Sequence, residues 1–192
     1  MYGISNSSFK KIYTIITNIK MNEVPDDVQG LTDLAESLSF HRDWTLYIKS
    51  NNSDWKKENF DKVYRITTIK DMWQVLNNIP EALTGLTNIF FMENDIVPLW
   101  ELKKSLWSNG GCWSTIIKGN HWFEVMKEAC MVVFGESLFD DSEVKGICIV
   151  PVTQNHCIVK IWATTSSANI GTQLKKTLER FNCCAPRFKS FA

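Results

Sequence analysis

Between Trp44 and Phe191 the chain alternates short extended runs with single helical stretches, and this rhythm constrains its fold more than any other feature. Trp44–Lys49, Val63–Ile66, Ile89–Met92, Cys112–Ile117, Gly146–Val152, Cys157–Trp162 and Arg187–Phe191 carry β-branched and aromatic residues at strand length. Thr68 is a natural N-cap for a helix bearing Ile69, Met72, Trp73 and Leu76, with Pro80 beyond its end. From His121 to Phe134, Trp122, Val125, Met126, Ala129, Cys130, Val133 and Phe134 fall on one stripe, and Gly135 supplies the stop. Ile170, Leu174, Leu178 and Phe181 mark a third helix. Paired strands separated by lone helices predict an α+β domain: one largely antiparallel sheet with helices on one face and the other face free for a ligand.

At 192 residues the chain suits one well-buried domain. Residues 1–40 read as an N-terminal arm, loosely helical or disordered, and residues 41–192 as the domain. Lys+Arg and Asp+Glu both total 21, so a protein gripping long stretches of phosphate backbone is disfavoured; recognition of one local chemical feature fits better. The six cysteines form no C-x-x-C and the three histidines complete no zinc spacing, so no metal is expected, and buried thiols of a reducing compartment are. Adjacent Cys183 and Cys184 leave redox chemistry as the other reading. No apolar run approaches the roughly 20 residues that span a bilayer, and no secretory signal is evident, which predicts a cytoplasmic protein off the membrane.

Phosphate-binding glycine loops, G-x-S-x-G and H-E-x-x-H are absent, and Asp140-Asp141 reads as a solvated pair, so neither an enzyme nor a cofactor is expected. Eight tryptophans are many for this length, and indoles often serve for stacking. Trp100 follows Pro98 in a polar loop where a core role is hard to find, and Asn51 to Asp54 form a second polar loop delivering Trp55. Trp44, Trp113 and Trp122 read as core.

The tract Ile96-Val97-Pro98-Leu99-Trp100-Glu101 resembles the cap-binding loop of the translation initiation factor 4E family. So do Trp44 with Tyr47, Thr68 to Trp73, Trp122 before Gly135-Glu136-Ser137, and Ile158 to Trp162, in the family's order over about residues 40–192. The resemblance implies a curved, eight-stranded, mostly antiparallel sheet with three helices on its convex face and the 7-methylguanosine cap of mRNA in its concave face. Trp100 and Trp55 would sandwich the methylated base. Stacking is worth roughly 1–3 kcal/mol per base and the positive charge adds about 0.5–2. Glu101 would accept from the guanine N1–H and N2–H groups, and Trp162 would contact the methyl group. On the convex face Ile69, Trp73, Phe123 and Glu124 match the positions that dock the scaffold factor 4G or 4E-binding repressor peptides. The chain is expected to act as a monomer.

Several positions depart from the family. Trp55 stands one residue off the usual spacing to Trp73, and the His-Pro docking motif is missing before Trp44. On the phosphate side Val152, Ile158 and Cys112 occupy positions where cations are expected. Lys160 shares a strand face with Ile158 and Trp162 and is the candidate replacement, with Arg187 and Lys189 behind it. Three functions therefore stay open: an initiation factor recruiting a scaffold, a cap-binding repressor or decoy, and an interaction module that has lost useful cap affinity.

Overall fold

The computed structural model describes residues 38–50, 53–79, 87–99, 107, 109–119, 121–135, 143–153 and 155–191. Seven strands are present among them: β1 (Ser39–Ser50), β2 (Asp61–Thr68), β3 (Thr87–Glu93), β4 (Gly111–Lys118), β5 (Val144–Thr153), β6 (His156–Ala163) and β7 (Arg187–Ser190). They form one curved, open sheet in the order β2-β1-β3-β5-β6-β4-β7. Every pairing is antiparallel. This is the α+β sheet the sequence predicts, with one strand fewer among the described residues than the resemblance implies.

Among the described residues three α-helices punctuate it: α1 (Ile69–Asn78), α2 (Trp122–Phe134) and α3 (Ala168–Leu178), which passes into a 3₁₀ turn at Glu179–Phe181. Helix α1 starts where the sequence places it. Thr68 Oγ1 accepts from the Asp71 backbone N–H at 3.1 Å, and the Asp71 carboxylate accepts from the Thr68 and Thr67 N–H groups at 2.9 Å each. This reciprocal box satisfies donors that a helix start otherwise leaves open. Burial raises the Asp71 carboxyl, but the Thr67 and Thr68 donors outweigh it and hold it below the usual carboxylate range.

Two details refine the expectation. In α1 the buried arc is Met72, Val75 and Leu76, and of the large apolar residues the sequence sets on this helix Trp73 is turned out, to 37% exposure. Gly135 ends α2 in an ordinary right-handed conformation (φ −76°), its N–H bonded to the Met131 carbonyl at 3.0 Å, and not in the left-handed form that favours glycine.

Alternation along the strands sorts side chains onto two faces. The helix face holds the main core: Trp44, Leu46 and Ile48 of β1, Phe91 of β3, and Val159 and Ile161 of β6 meet the apolar arcs of all three helices. Trp44 stacks on Phe134 of α2 with ring centres 4.8 Å apart. Gly171 of α3 leaves the room that the Trp113 indole fills, since a Cβ there would lie 2.5 Å from the ring. Trp44 and Trp122 are buried and Trp113 half-buried, as a core role requires.

The opposite, open face carries a smaller apolar cluster of its own, including Tyr47, Phe60, Phe90, Trp107, Trp162 and Phe191. Gly146 of β5 is bare at this point because a Cβ would run into the Met92 sulfur at 2.3 Å.

Candidate functional site

The first candidate, Trp55, stands at the rim of the open face and is 39% exposed. Its indole leans on Phe60 (5.7 Å between centres, 59°) and meets Phe90 edge-on (6.1 Å, 89°). The chain on either side is tied down. Asn59 donates to the Asp54 carbonyl at 3.1 Å, and Lys49 donates to the carbonyls of Ser50 (2.9 Å) and Ser53 (2.5 Å). Lys49 also lies over the Trp55 ring, 4.9 Å from its centre. Desolvation lowers the pKa of Lys49, partly opposed by Asp54.

Trp162 on β6 is buried, tilted against Trp107 at 5.6 Å and Phe191 at 4.8 Å. The register puts it in a row that runs Met92, Gly146, Trp162, Cys112, Lys189 across five strands. The next row on this face runs Phe90, Cys148, Lys160, Ser114, Arg187. Lys160 is half-buried at its centre, while Arg187 and Lys189 are exposed on the edge strand. The three cations thus gather on the β6–β4–β7 side, and Trp55 stands on the β1–β3 side.

Trp100 and Glu101 lie outside the described residues, as do Pro80, Asp140-Asp141, Gln154 and the arm up to residue 37. The flanks of the 100–106 segment are described: Leu99 and Trp107 are both buried in the open-face cluster.

Ile69, Trp73, Phe123 and Glu124 fall on helices α1 and α2, away from the open face. Trp73 and Glu124 are exposed, and Ile69 and Phe123 half-buried. The described candidate residues therefore divide between two opposite surfaces.

All six cysteines are free. Cys112, Cys130, Cys148 and Cys157 are buried, and Cys183 and Cys184 half-buried. Burial pushes the thiols of Cys112, Cys130, Cys148 and Cys157 up, that of Cys157 to about 11, which makes these four poor nucleophiles. No cluster of metal-ligating side chains occurs among the described residues, and no described helix is long and apolar enough to cross a membrane.

Sequence reasoning missed Lys49, Phe90 and Trp107. Alternation in β1 was the available signal for Lys49, which falls on the same face as Tyr47. Phe90 lies in a strand buried on both faces, where alternation is silent.

A curved antiparallel sheet backed by three helices, with aromatics and a group of cations on its open face, defines an α+β domain with one face free for a ligand. A family model described as "Eukaryotic initiation factor 4E" matches residues 39–190, and the chain belongs to that family. It is 26% identical over 153 residues to the eukaryotic translation initiation factor 4E of Dictyostelium discoideum, covering 71% of this chain and 58% of that protein's length. It is 25% identical over 163 residues to the factor 4E-2 of Nicotiana tabacum, covering 78% of this chain and 71% of the relative. Among solved structures, C. elegans eIF4E-3 with the 4E-binding protein Mextli and a cap analog superposes with a TM-score of 0.66 at 20% identity, covering 80% of this chain and 92% of that one. A schistosome eIF4E complexed with m7GpppG and 4E-BP gives a TM-score of 0.64 at 25% identity, covering 74% and 83%.

Proposed function

We propose that this chain binds the 7-methylguanosine cap of mRNA on its open face and takes part in translation initiation by recruiting a scaffold factor on its helix face. The observation that carries the reading is the exposed indole of Trp55, propped by Phe60 and Phe90 on the open side of a 4E-family sheet. The complexes of its structural neighbours with cap analogs and 4E-binding proteins support both halves. Trp55 and Trp100 stack on the base, Glu101 accepts from its N1–H and N2–H groups, Trp162 lies against the methyl group, and Lys160 meets the phosphates. Ile69, Trp73, Phe123 and Glu124 dock scaffold factor 4G or a 4E-binding repressor. The protein acts as a non-enzymatic monomer in the cytoplasm, with residues 41–192 as the binding unit and residues 1–40 as an arm.

A second reading has specific support: Cys112 and Ile158 stand where the family carries cations. A chain so altered serves as an interaction module with little cap affinity. Retention on a 7-methyl-GTP resin, released by 7-methyl-GTP but not by GTP, tests the first reading. Passage through the column unretained would favour the second.

A further inference from the structure

The helix face carries two ridges of residues four apart: Ile69, Trp73 and Asn77 on α1, and Phe123, Lys127 and Met131 on α2. Side chains spaced in this way stand above one another on a helix surface. Trp73 and Met131 are 37% and 36% exposed. The ridges are bridged at one point, where Lys127 Nζ donates to Asn77 Oδ1 at 2.9 Å. The same ammonium lies 4.5 Å from the centre of the Phe123 ring. A cation is therefore fixed among apolar anchors, with a neutral amide as its acceptor. The nearby carboxylate of Glu128 is engaged elsewhere, by Arg180 at 2.6 Å.

We infer that Lys127 selects the partner: an amphipathic helix carrying Asp or Glu beside its apolar anchors, so that the carboxylate reaches Lys127 as the anchors cover Trp73 and Phe123. This deepens the docking reading above and rests on it. A helix laid over these ridges strips water from the ammonium. A carboxylate then gains a charge-assisted bond in a drier setting, and a partner lysine meets a like charge it cannot avoid. The apolar anchors supply affinity, and Lys127 decides among helices whose anchors are alike.

The test uses the full chain and labelled synthetic amphipathic helices that share two leucine anchors. A single Glu, Gln or Lys is walked through the positions flanking those anchors, and affinity is read by fluorescence anisotropy. At one position the Glu peptide should bind about five- to tenfold tighter than the Lys peptide, with Gln between. Lys127→Glu should reverse that order, Lys127→Met should level it while binding persists, and 0.5 M salt should shrink it. Peptides that bind through Trp73 with no charge preference, or a preference that survives Lys127→Glu, would overturn the selection by Lys127 alone. If no peptide binds, or binding is indifferent to Trp73→Ala, the docking reading falls and this inference with it.

Discussion

The ammonium of Lys49 bridges the carbonyls of Ser50 and Ser53 and lies 4.9 Å from the ring centre of Trp55, so a buried cation holds the indole from one side. A methylated base has to approach from the other side. Lys49→Met keeps the apolar stem and removes the bridge. It should make Trp55 more accessible to acrylamide quenching and weaken 7-methyl-GTP binding by about 1 kcal/mol, the usual net worth of such bonds. Unchanged quenching and affinity would mean that Phe60 and Phe90 suffice to hold the ring.

Trp55→Ala, Trp100→Ala and Glu101→Ala should each weaken binding of a cap analogue with the fold intact. Each stacking face is worth roughly 1–3 kcal/mol, and the lost acceptor costs a similar amount. Intrinsic fluorescence titration measures this. Full affinity in Trp100→Ala would remove the 98–101 tract from the site.

Lengthening the ligand from 7-methyl-GMP to 7-methyl-GTP should add little affinity and little salt dependence, because of the three cations in the two cross-strand rows only Lys160 is central, with Arg187 and Lys189 at the edge strand. Lys160→Met should erase most of what gain there is. A gain of several kcal/mol surviving that substitution would place the phosphates on the edge strand.

Trp73→Ala should cost about 2 kcal/mol or more in binding to a scaffold-type peptide and leave cap affinity unchanged. The exposure of its indole predicts a folded mutant. Cap binding lost with the fold intact would show that the two faces are inverted.

Asp71 links stability to acid. Its carboxyl is held below the ordinary value of 3.8 in the fold, so the folded state takes up the proton less readily than the unfolded one. Its contribution is complete above that value and drains away as pH falls through the folded pKa. Asp71→Ala should lower stability by about 1 kcal/mol at pH 7 and flatten its loss below pH 4, read by urea unfolding. A parallel acid profile in the mutant would assign the sensitivity to other carboxylates.

Much of the fold was legible in local chemistry. The strand-length runs from Trp44 onward coincide with the seven strands, and Thr68 as N-cap marked the start of α1. The orientation of Trp73 was not, because it lies four residues from Ile69 on a helix whose buried arc is drawn by Met72, Val75 and Leu76. Type alone cannot tell an indole that faces the core from one that faces a partner. The open-face cluster was hidden for a related reason. Strand β3 is buried at every position, so nothing in its sequence separates Phe90 from Phe91, which lie on opposite faces. For Lys160 the strand period was enough, since its neighbours Cys148 and Ser114 follow from the pairing.

The strand order also sets a timetable. β4 ends at Lys118, yet its two neighbours in the sheet are β6 and β7, which begin at His156 and Arg187. While the protein is being synthesised, the stretch with Cys112 and Ser114 waits without its partner strands until β6 and β7 have emerged, and such distant pairings form late. The wall around Trp55 can be built early, but the side with Lys160, Trp162 and Lys189 closes only once β6 and β7 have been made. A chain cut before Arg187 would therefore keep β6 beside β4 but leave the other edge of β4 without its partner strand.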